Sequence, residues 1–162
     1  MPELPEVETT RRGLAPYVVG RTIARVEVRE PRLRWPVARQ LPRALADASI
    51  GSLERRAKYL LFGTDAGTLL VHLGMSGSLR YLPEPLEPAA HDHIDVHFDG
   101  GGTLRFNDPR RFGSFMLTAA PAAHPLLKDL GPEPLGDEFD ADYLWRSSRT
   151  RRVAIKQHLM NG

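Results

Sequence analysis

The first six residues, Met-Pro-Glu-Leu-Pro-Glu, contain a possible nucleophile with acidic neighbours. If an aminopeptidase removes Met1, the nitrogen of Pro2 becomes a free secondary amine. An α-amino group titrates near ~8, so part of it is unprotonated at neutral pH and can attack a sugar carbon to form a Schiff base. Glu3 lies beside this amine and can move a proton, and Glu6 follows one helical turn later. While Met1 remains, the nitrogen of Pro2 is an amide and cannot react in this way.

The same residues also fit a purely structural role. Pro5 suits the first turn of a helix because its missing N–H is not needed there, and Glu6 and Glu8 suit the positive end of the helix dipole. From these six residues alone, the structural interpretation is favoured over the catalytic one.

Three further segments carry side chains that could bind or react. Lys58 lies in a basic segment, residues 55–59; Met75 lies in a glycine-flanked turn, residues 72–77; and Arg110 lies in Asp-Pro-Arg-Arg-Phe-Gly, residues 108–113. Each has an ordinary alternative: an exposed surface lysine, a methionine that fills the core, and an Asp–Arg loop network with its phenylalanine in the core.

An alternating polar row offers a rival function. His91, His93, Asp95 and His97 alternate along one predicted strand, which would place all four on one side. Histidines in that arrangement can bind zinc or iron, which is the basis of an alternative hypothesis, a cupin-like metalloenzyme on a β-barrel. One-sided rows of this kind are more often a polar sheet face.

The composition limits the class of protein. The chain has 162 residues, enough for one domain with a core, and no cysteine, which excludes disulfides and cysteine-based zinc sites. No apolar run approaches the ~20 residues of a membrane span, so we expect a soluble cytoplasmic protein that does not associate with membranes. Arginine supplies 19 of the 22 basic residues, and the guanidinium group suits bidentate phosphate contacts. No acidic residue follows Asp142, so the basic tail could contact phosphate or be a solvated helix face.

Periodicity and turn signals predict an α+β protein. A loop at residues 29–36 carries three arginines, and a triple glycine at residues 100–102 predicts a hairpin. Several short strands with regular turns are typical of a sandwich or flattened barrel. The predicted helices cover residues 5–18, 37–48, 138–147 and 152–160, and the predicted strands cover residues 22–28, 59–62, 68–73, 76–81, 94–98, 104–106 and 114–118.

Sequence blocks in order along the whole chain resemble the formamidopyrimidine-DNA glycosylases. The resembling blocks are residues 1–9, 20–23, 32–37, 55–60, 72–80, 91–93, 108–113, 130–135 and 154–156. Leu4 favours the bacterial oxidised-purine branch, since the related endonuclease VIII branch usually has glycine there. The resemblance implies a two-layered β-sandwich (flattened barrel) flanked by helices. We expect an N-terminal catalytic domain at residues 1–135 and a helical linker leading into a helix–two-turn–helix region at residues 136–162.

The resemblance also implies an activity and a site. The family performs base-excision repair: it excises oxidised purines from double-stranded DNA through an N-terminal proline Schiff base, then cuts the strand by β,δ-elimination as an AP lyase. The implied catalytic residues are Pro2, Glu3, Glu6 and Lys58. The implied DNA-binding residues are His72, Met75, His91, Arg110, Phe112, Arg151 and Lys156. No cofactor or metal is expected in this chain, its expected partner is damaged double-stranded DNA, and a monomer is expected.

The chain departs from the family at two points. It stops at residue 162, whereas the family continues into the rest of the helix–two-turn–helix module and a four-cysteine zinc finger, which supply much of the grip on DNA. We therefore expect a truncated form that binds weakly and is weakly active or inactive, with a non-catalytic DNA-binding fragment as the alternative. Arg151 stands where the family often has lysine, which keeps the charge but changes the geometry of a phosphate contact.

Overall fold

The chain divides into two compact units, Met1–Pro121 and Ala122–Gly162. The computed structural model describes residues 1–160. The first unit ends before residue 135, where the sequence analysis placed the end of the β-sandwich domain, and that functional boundary stays a prediction. None of the helices within residues 1–160 combines the length and apolar character that crossing a bilayer requires.

The first unit contains two antiparallel sheets of four strands each. The strand order is β1-β6-β7-β5 in one sheet and β2-β3-β4-β8 in the other. The strands are β1 (Ile23–Val28), β2 (Ile50–Arg56), β3 (Tyr59–Thr64), β4 (Gly67–His72), β5 (Ser78–Leu82), β6 (Asp92–Phe98), β7 (Thr103–Asn107) and β8 (Ser114–Thr118).

Apolar side chains from the two sheets form a single core. Phe106 of β7 and Phe115 of β8 are fully buried, and their ring centroids lie 5.9 Å apart, so they join one sheet to the other. Buried aromatic pairs of this kind contribute packing energy beyond the area that they bury. This arrangement confirms the predicted α+β, two-layered sandwich flanked by helices.

Helix α1 (Leu4–Val18) lies against β2 and β5 and begins one residue before the predicted start. Its buried residues, Val7, Leu14 and Val18, recur at the spacing of one helical face. The Glu6 carboxylate accepts the N–H of Glu3 at 3.0 Å, which satisfies one of the free donors at the helix start. Glu6 therefore caps the start of α1, and its predicted place among the catalytic residues stays a prediction.

Helix α2 (Leu41–Leu45) packs against β1 and is much shorter than predicted. Pro42 lies in its first turn, where a missing N–H is tolerated, so it starts this helix instead of interrupting a longer one. The chain then enters β2, for which the sequence analysis predicted no separate strand.

In the described part of the second unit, residues 122–160, there are two helices, α3 (Ala141–Ser148) and α4 (Ile155–Met160). Asp140 caps α3, because its Oδ1 accepts the N–H of Tyr143 at 2.6 Å. Both helices begin three residues after their predicted starts. A single 3₁₀ turn, Pro121–Ala123, lies where the first unit ends.

Candidate functional site

The turn between β2 and β3 brings a lysine to the N-terminus. Ala57 has a positive φ of 49°, which makes the turn tight, and Lys58 follows it. The Lys58 Nζ lies 2.6 Å from Glu3 Oε2, and the Arg55 Nε lies 3.1 Å from Glu8 Oε2. Two ion pairs therefore fix this hairpin on the first turns of α1, and the first of them places Lys58 next to the residue that follows Pro2.

An open cavity of about 740 Å³ lies at the N-terminus. It collects side chains from four separate segments: the chain start, the arginine loop at residues 29–36, the end of β4 with the turn after it, and residues 108–113. Its lining residues are Met1, Arg32, Leu33, Arg34, His72, Gly74, Met75, Arg110, Arg111 and Phe112. Four of the predicted DNA-binding residues thus line one cavity, together with the residue that precedes Pro2.

His72 is set up as a neutral hydrogen-bond donor. Its Nδ1 accepts the N–H of Gly74 at 3.0 Å, which leaves the proton on Nε2. Burial lowers the pKa of His72, and the positive charges of Lys58 and Arg34 lower it further. The ring also lies 4.7 Å from the ring of Tyr59, which holds its orientation. A neutral imidazole N–H of this kind can donate to a phosphate oxygen without adding charge.

Two large apolar side chains at the cavity are exposed. Met75 is 42% exposed and Phe112 is 41% exposed, so neither fills the core. The Arg110 guanidinium carbon lies 4.8 Å from the centre of the Phe112 ring, in the geometry of a cation–π contact. Exposed apolar groups on either side of a cavity indicate a binding surface.

The arginines of the cavity differ in how their charge is balanced. Glu30 accepts hydrogen bonds from Arg32 at 2.6 and 2.8 Å and one from Arg111 at 3.4 Å. The hydrogen bonds from Arg32 lower the pKa of Glu30 to about 2, with a smaller effect of the Arg111 charge. Within residues 1–160, by contrast, the Arg34 guanidinium has no hydrogen-bond or ion-pair partner. The sequence analysis noted this loop but assigned Arg34 no role. The signal that the sequence offered was the number of arginines in the loop.

The predicted row of His91, His93, Asp95 and His97 does not form one cluster, so the expectation that all four share a side is wrong. A bulge at the start of β6 shifts the register. The Nε2 of His93 lies 2.8 Å from the carbonyl oxygen of Asp108, and His91 precedes the strand with a positive φ of 69°. A bulge re-aims side chains, which is why simple alternation failed here.

Asp95 and His97 instead meet Glu27 of β1, with ligand atoms within 4.8 Å of one another. Both Asp95 oxygens accept hydrogen bonds from Arg105 at 2.8 Å, and Arg29 adds an ion pair at 3.0 Å. Burial alone would raise the pKa of Asp95, but the hydrogen bonds from these arginines lower it. A metal ion would have to displace two guanidinium groups, so these residues fit an internal ion-pair network better than a metal centre.

Arg151 and Lys156 lie in the second unit. Both are exposed; the N–H of Arg151 donates to the Ser148 carbonyl at 3.0 Å, and Lys156 is part of α4. Nearby, the Arg149 guanidinium stacks over Trp145 at 4.4 Å. The proposed phosphate contacts of Arg151 and Lys156 stay predictions.

Comparison with known proteins gives a consistent result. The family model for the formamidopyrimidine-DNA glycosylase N-terminal domain matches residues 1–115. A formamidopyrimidine-DNA glycosylase of Thioalkalivibrio sulfidiphilus is 60% identical over 162 residues, which cover 99% of this chain and 60% of the relative. One of Stutzerimonas stutzeri is 53% identical over 161 residues, with the same coverage.

Solved structures agree. A crystal structure of the Lactococcus lactis formamidopyrimidine-DNA glycosylase bound non-covalently to DNA with an abasic site has a TM-score of 0.88 at 34% identity, covering 99% of this chain and 62% of that one. A complex of the same enzyme with DNA containing Fapy-dG has a TM-score of 0.87 at 34% identity, covering 98% and 61%. The chain spans about 60% of the length of the relatives that it matches. It belongs to the formamidopyrimidine-DNA glycosylase family.

Proposed function

We propose that this chain is the catalytic N-terminal part of a bifunctional DNA glycosylase and AP lyase for base-excision repair. Its substrates are oxidised purines, such as 8-oxoguanine and formamidopyrimidines, in double-stranded DNA. The observation that carries the proposal is the cavity at the N-terminus, where exposed Met75, Arg110 and Phe112 lie beside the chain start. The solved relatives bound to abasic or Fapy-dG DNA support the same substrate class.

The apolar side chains act on the DNA stack. A base that leaves the duplex opens a gap, and filling that gap with apolar groups compensates for the lost stacking. Met75 and Phe112 are exposed and close enough to line the same cavity, so they serve as this filler. Arg110 has its guanidinium held over the Phe112 ring and donates to the base left without a partner, usually cytosine.

The first chemical step uses the processed N-terminus. After removal of Met1, the Pro2 nitrogen attacks C1′ of the damaged nucleotide, and the bond from C1′ to the base breaks. The base leaves with the bonding electron pair and takes up the proton that the Pro2 nitrogen loses. Opening of the sugar ring then gives an iminium between Pro2 and C1′. The Lys58 ammonium, 2.6 Å from Glu3, supplies a proton through Glu3 to the ring oxygen as that oxygen leaves C1′.

Strand cleavage follows from the iminium. Its positive charge acidifies the C2′ proton. The Glu3 carboxylate accepts that proton and passes it back to Lys58, which restores the lysine's charge, and the 3′ phosphate leaves by β-elimination. A second elimination, in which C4′ loses a proton to water, expels the 5′ phosphate. The Nε2–H of neutral His72 and the charge of Lys58 bind phosphate oxygens at the lesion. None of these steps requires a cofactor, and Glu6 keeps the start of α1 ordered.

Borohydride trapping tests this chemistry. The purified chain is mixed with an abasic-site duplex and sodium borohydride, which reduces an amine–sugar Schiff base to a stable adduct. The matched control is the same chain with Met1 retained, both N-termini being verified by mass spectrometry. We expect an adduct mapped to Pro2 for the processed chain and none for the control. No adduct from the processed chain, even at high DNA concentration, would contradict the catalytic proposal.

The alternative is a non-catalytic DNA-binding fragment, because Arg110 and the exposed Met75 and Phe112 can contact DNA whether or not Pro2 has a free amine. Met1 itself lines the cavity, and while it is present the Pro2 nitrogen is an amide. In that form the chain would still offer Arg110 and the exposed apolar pair to DNA. Binding of the abasic duplex in a mobility-shift assay without trapping by the processed chain would select this alternative. Tight binding, like that of a complete family member, would contradict the expected weakness of this chain.

A further inference from the structure

We propose that the Ser76–Asp108 pair is a positioning device that determines which base is accepted opposite the lesion. It joins the turn that carries Met75 to the segment that carries Arg110. Met75, which fills the gap in the base stack, and Arg110, which contacts the opposite base, are therefore held in a fixed arrangement. The inference rests on the proposed function. It adds two residues, Ser76 and Asp108, that do not contact DNA in that proposal.

Asp108 is the centre of the arrangement. Its side chain is fully buried, and its two oxygens accept separate hydrogen bonds: Oδ1 from the Ser76 hydroxyl at 2.8 Å and Oδ2 from the Gly113 N–H at 2.8 Å. The Ser76 oxygen accepts in turn the N–H of Arg110 at 3.1 Å. One hydroxyl therefore links the buried carboxylate to the backbone of the base-reading residue.

The two segments also touch through their backbones. A Cβ added at Gly113 would lie 2.7 Å from the carbonyl oxygen of His72, and one added at Gly74 would lie 2.5 Å from the Gly113 nitrogen and the Phe112 carbonyl carbon. Backbone atoms cannot rotate away as side-chain ends can. A movement of either segment is therefore transmitted to the other.

The same aspartate reaches a third candidate contact. The N–H of Asp108 donates to the carbonyl oxygen of His91 at 3.0 Å, and its own carbonyl oxygen lies 2.8 Å from His93 Nε2. The backbone of His91, a predicted phosphate contact, is thus fixed relative to the residues that fill and read the gap.

Recognition of the opposite base and binding of phosphate therefore depend on different residues. Arg110 discriminates between opposite bases only if its donors meet the acceptors of the correct base, and hydrogen bonds weaken steeply with misalignment. Without the Ser76 hydroxyl, the Arg110 N–H and Asp108 Oδ1 each lose a partner. The backbone at Arg110 can then shift, while the Gly113 end of the segment stays packed against the Met75 turn. Preference for the correct opposite base should fall, while phosphate binding by His72 and Lys58 continues.

Fluorescence anisotropy on two abasic duplexes tests this. The abasic site is a tetrahydrofuran analogue, which cannot form the Schiff base and is therefore not cleaved during the measurement. The duplexes differ only in having cytosine or adenine opposite this site, and the measured quantity is the ratio of their Kd values. Ser76 is the residue to change, because replacing the fully buried Asp108 endangers folding. The set comprises wild type, Ser76→Ala, Ser76→Thr, which keeps the hydroxyl, and the control Ser78→Ala. Ser78 lies two residues further on, and within residues 1–160 its hydroxyl has no hydrogen-bond partner.

We expect Ser76→Ala to reduce the preference for cytosine about fivefold, the effect of one net hydrogen bond of ~1 kcal/mol. Ser76→Thr should restore the preference, and Ser78→Ala should match the wild type. If Ser76→Ala weakens binding to both duplexes equally and leaves the ratio of Kd values unchanged, the role of Ser76 is only structural. This result would overturn the inference but not the proposed function. A wild type without any preference for cytosine would instead overturn the proposed reading by Arg110, and the inference with it.

Discussion

Replacing Gly74 by alanine measures how tightly the two cavity segments are packed. Gly74 has φ +63°, a region that L-residues enter at a cost of ~1–2 kcal/mol. The added Cβ would also lie 2.5 Å from two backbone atoms of the opposite segment, and overpacking of this kind costs ~1–3 kcal/mol. The two effects together predict a loss of roughly 2–5 kcal/mol in the free energy of unfolding.

Two other glycines separate these effects. Gly20 has φ +83° but nothing within 4 Å of an added Cβ, so Gly20→Ala should lose only the backbone part, ~1–2 kcal/mol. Gly13 lies inside α1 with open space around it, so Gly13→Ala should gain ~0.5–1 kcal/mol, because alanine has the higher helix propensity. The three variants carry the same chemical change and differ only in their surroundings.

Urea unfolding followed by tryptophan fluorescence is the assay. Trp35 belongs to the first unit and Trp145 to the second, so all variants are made in a Trp145→Phe background in which the fluorescence reports the first unit alone. Unchanged slopes of the unfolding transition would show that the midpoints can be compared directly. A Gly74→Ala loss no larger than that of Gly20→Ala would refute the claim that the segments pack backbone against backbone.

Three further predictions follow from single side chains. Arg34→Ala should weaken DNA binding and lower the slope of log K against log salt by about one, measured by anisotropy titrations at several salt concentrations; an unchanged slope would exclude a phosphate contact. Ser114→Ala should raise the free energy of unfolding by ~1 kcal/mol in urea, because the Ser114 hydroxyl is buried without a partner in the described part of the chain; a loss would show that it is satisfied by water. Hydrogen bonds from Arg11, then Arg12, lower the pKa of Glu8 from 4.5 to about 2, so its stabilising effect is present above pH 4.5 and is lost as the pH falls toward 2. The stability gap between wild type and Glu8→Gln, measured by urea unfolding, should therefore close over that range, and a constant gap would contradict this origin.

Local sequence signals predicted the elements with regular patterns. The helix over residues 5–18 and the strand over residues 114–118 were predicted to within one residue, and the hairpin around the triple glycine is the β6–β7 pair. The strand β2 was missing from the predicted strands, because only its Ile50 and Leu53 are buried and its last residues are charged. An edge strand of this kind shows neither alternation nor an apolar run.

Local sequence signals predicted less of the candidate site than of the secondary structure. Its key contacts join residues far apart in the chain, such as Glu3 with Lys58 and Ser76 with Asp108, and periodicity contains no information about these pairings. The motifs identified the residue types that could act, and the family resemblance indicated which of these residues belong to one site. In β6, by contrast, the sequence pattern itself was misleading. Regular alternation was assumed, but a bulge shifts the register, so the prediction that the four polar residues share one side was wrong.

The 108–113 segment shows why burial can decide between a structural and a functional interpretation. Had it been an Asp–Arg network over a core phenylalanine, Asp108 would accept from the arginine side chains and Phe112 would be buried, a gain of ~1.5–3 kcal/mol. Instead, the Asp108 oxygens are taken by Ser76 and by the Gly113 backbone, and Phe112 is 41% exposed beneath Arg110. In the described residues, the Arg110 guanidinium has no acidic partner. The Arg110 and Phe112 side chains therefore stabilise their own segment only through the cation–π contact between them, ~0.5–1 kcal/mol at an exposed site. The proposed function accounts for their placement, because a duplex with an everted base would supply an apolar gap and hydrogen-bond acceptors.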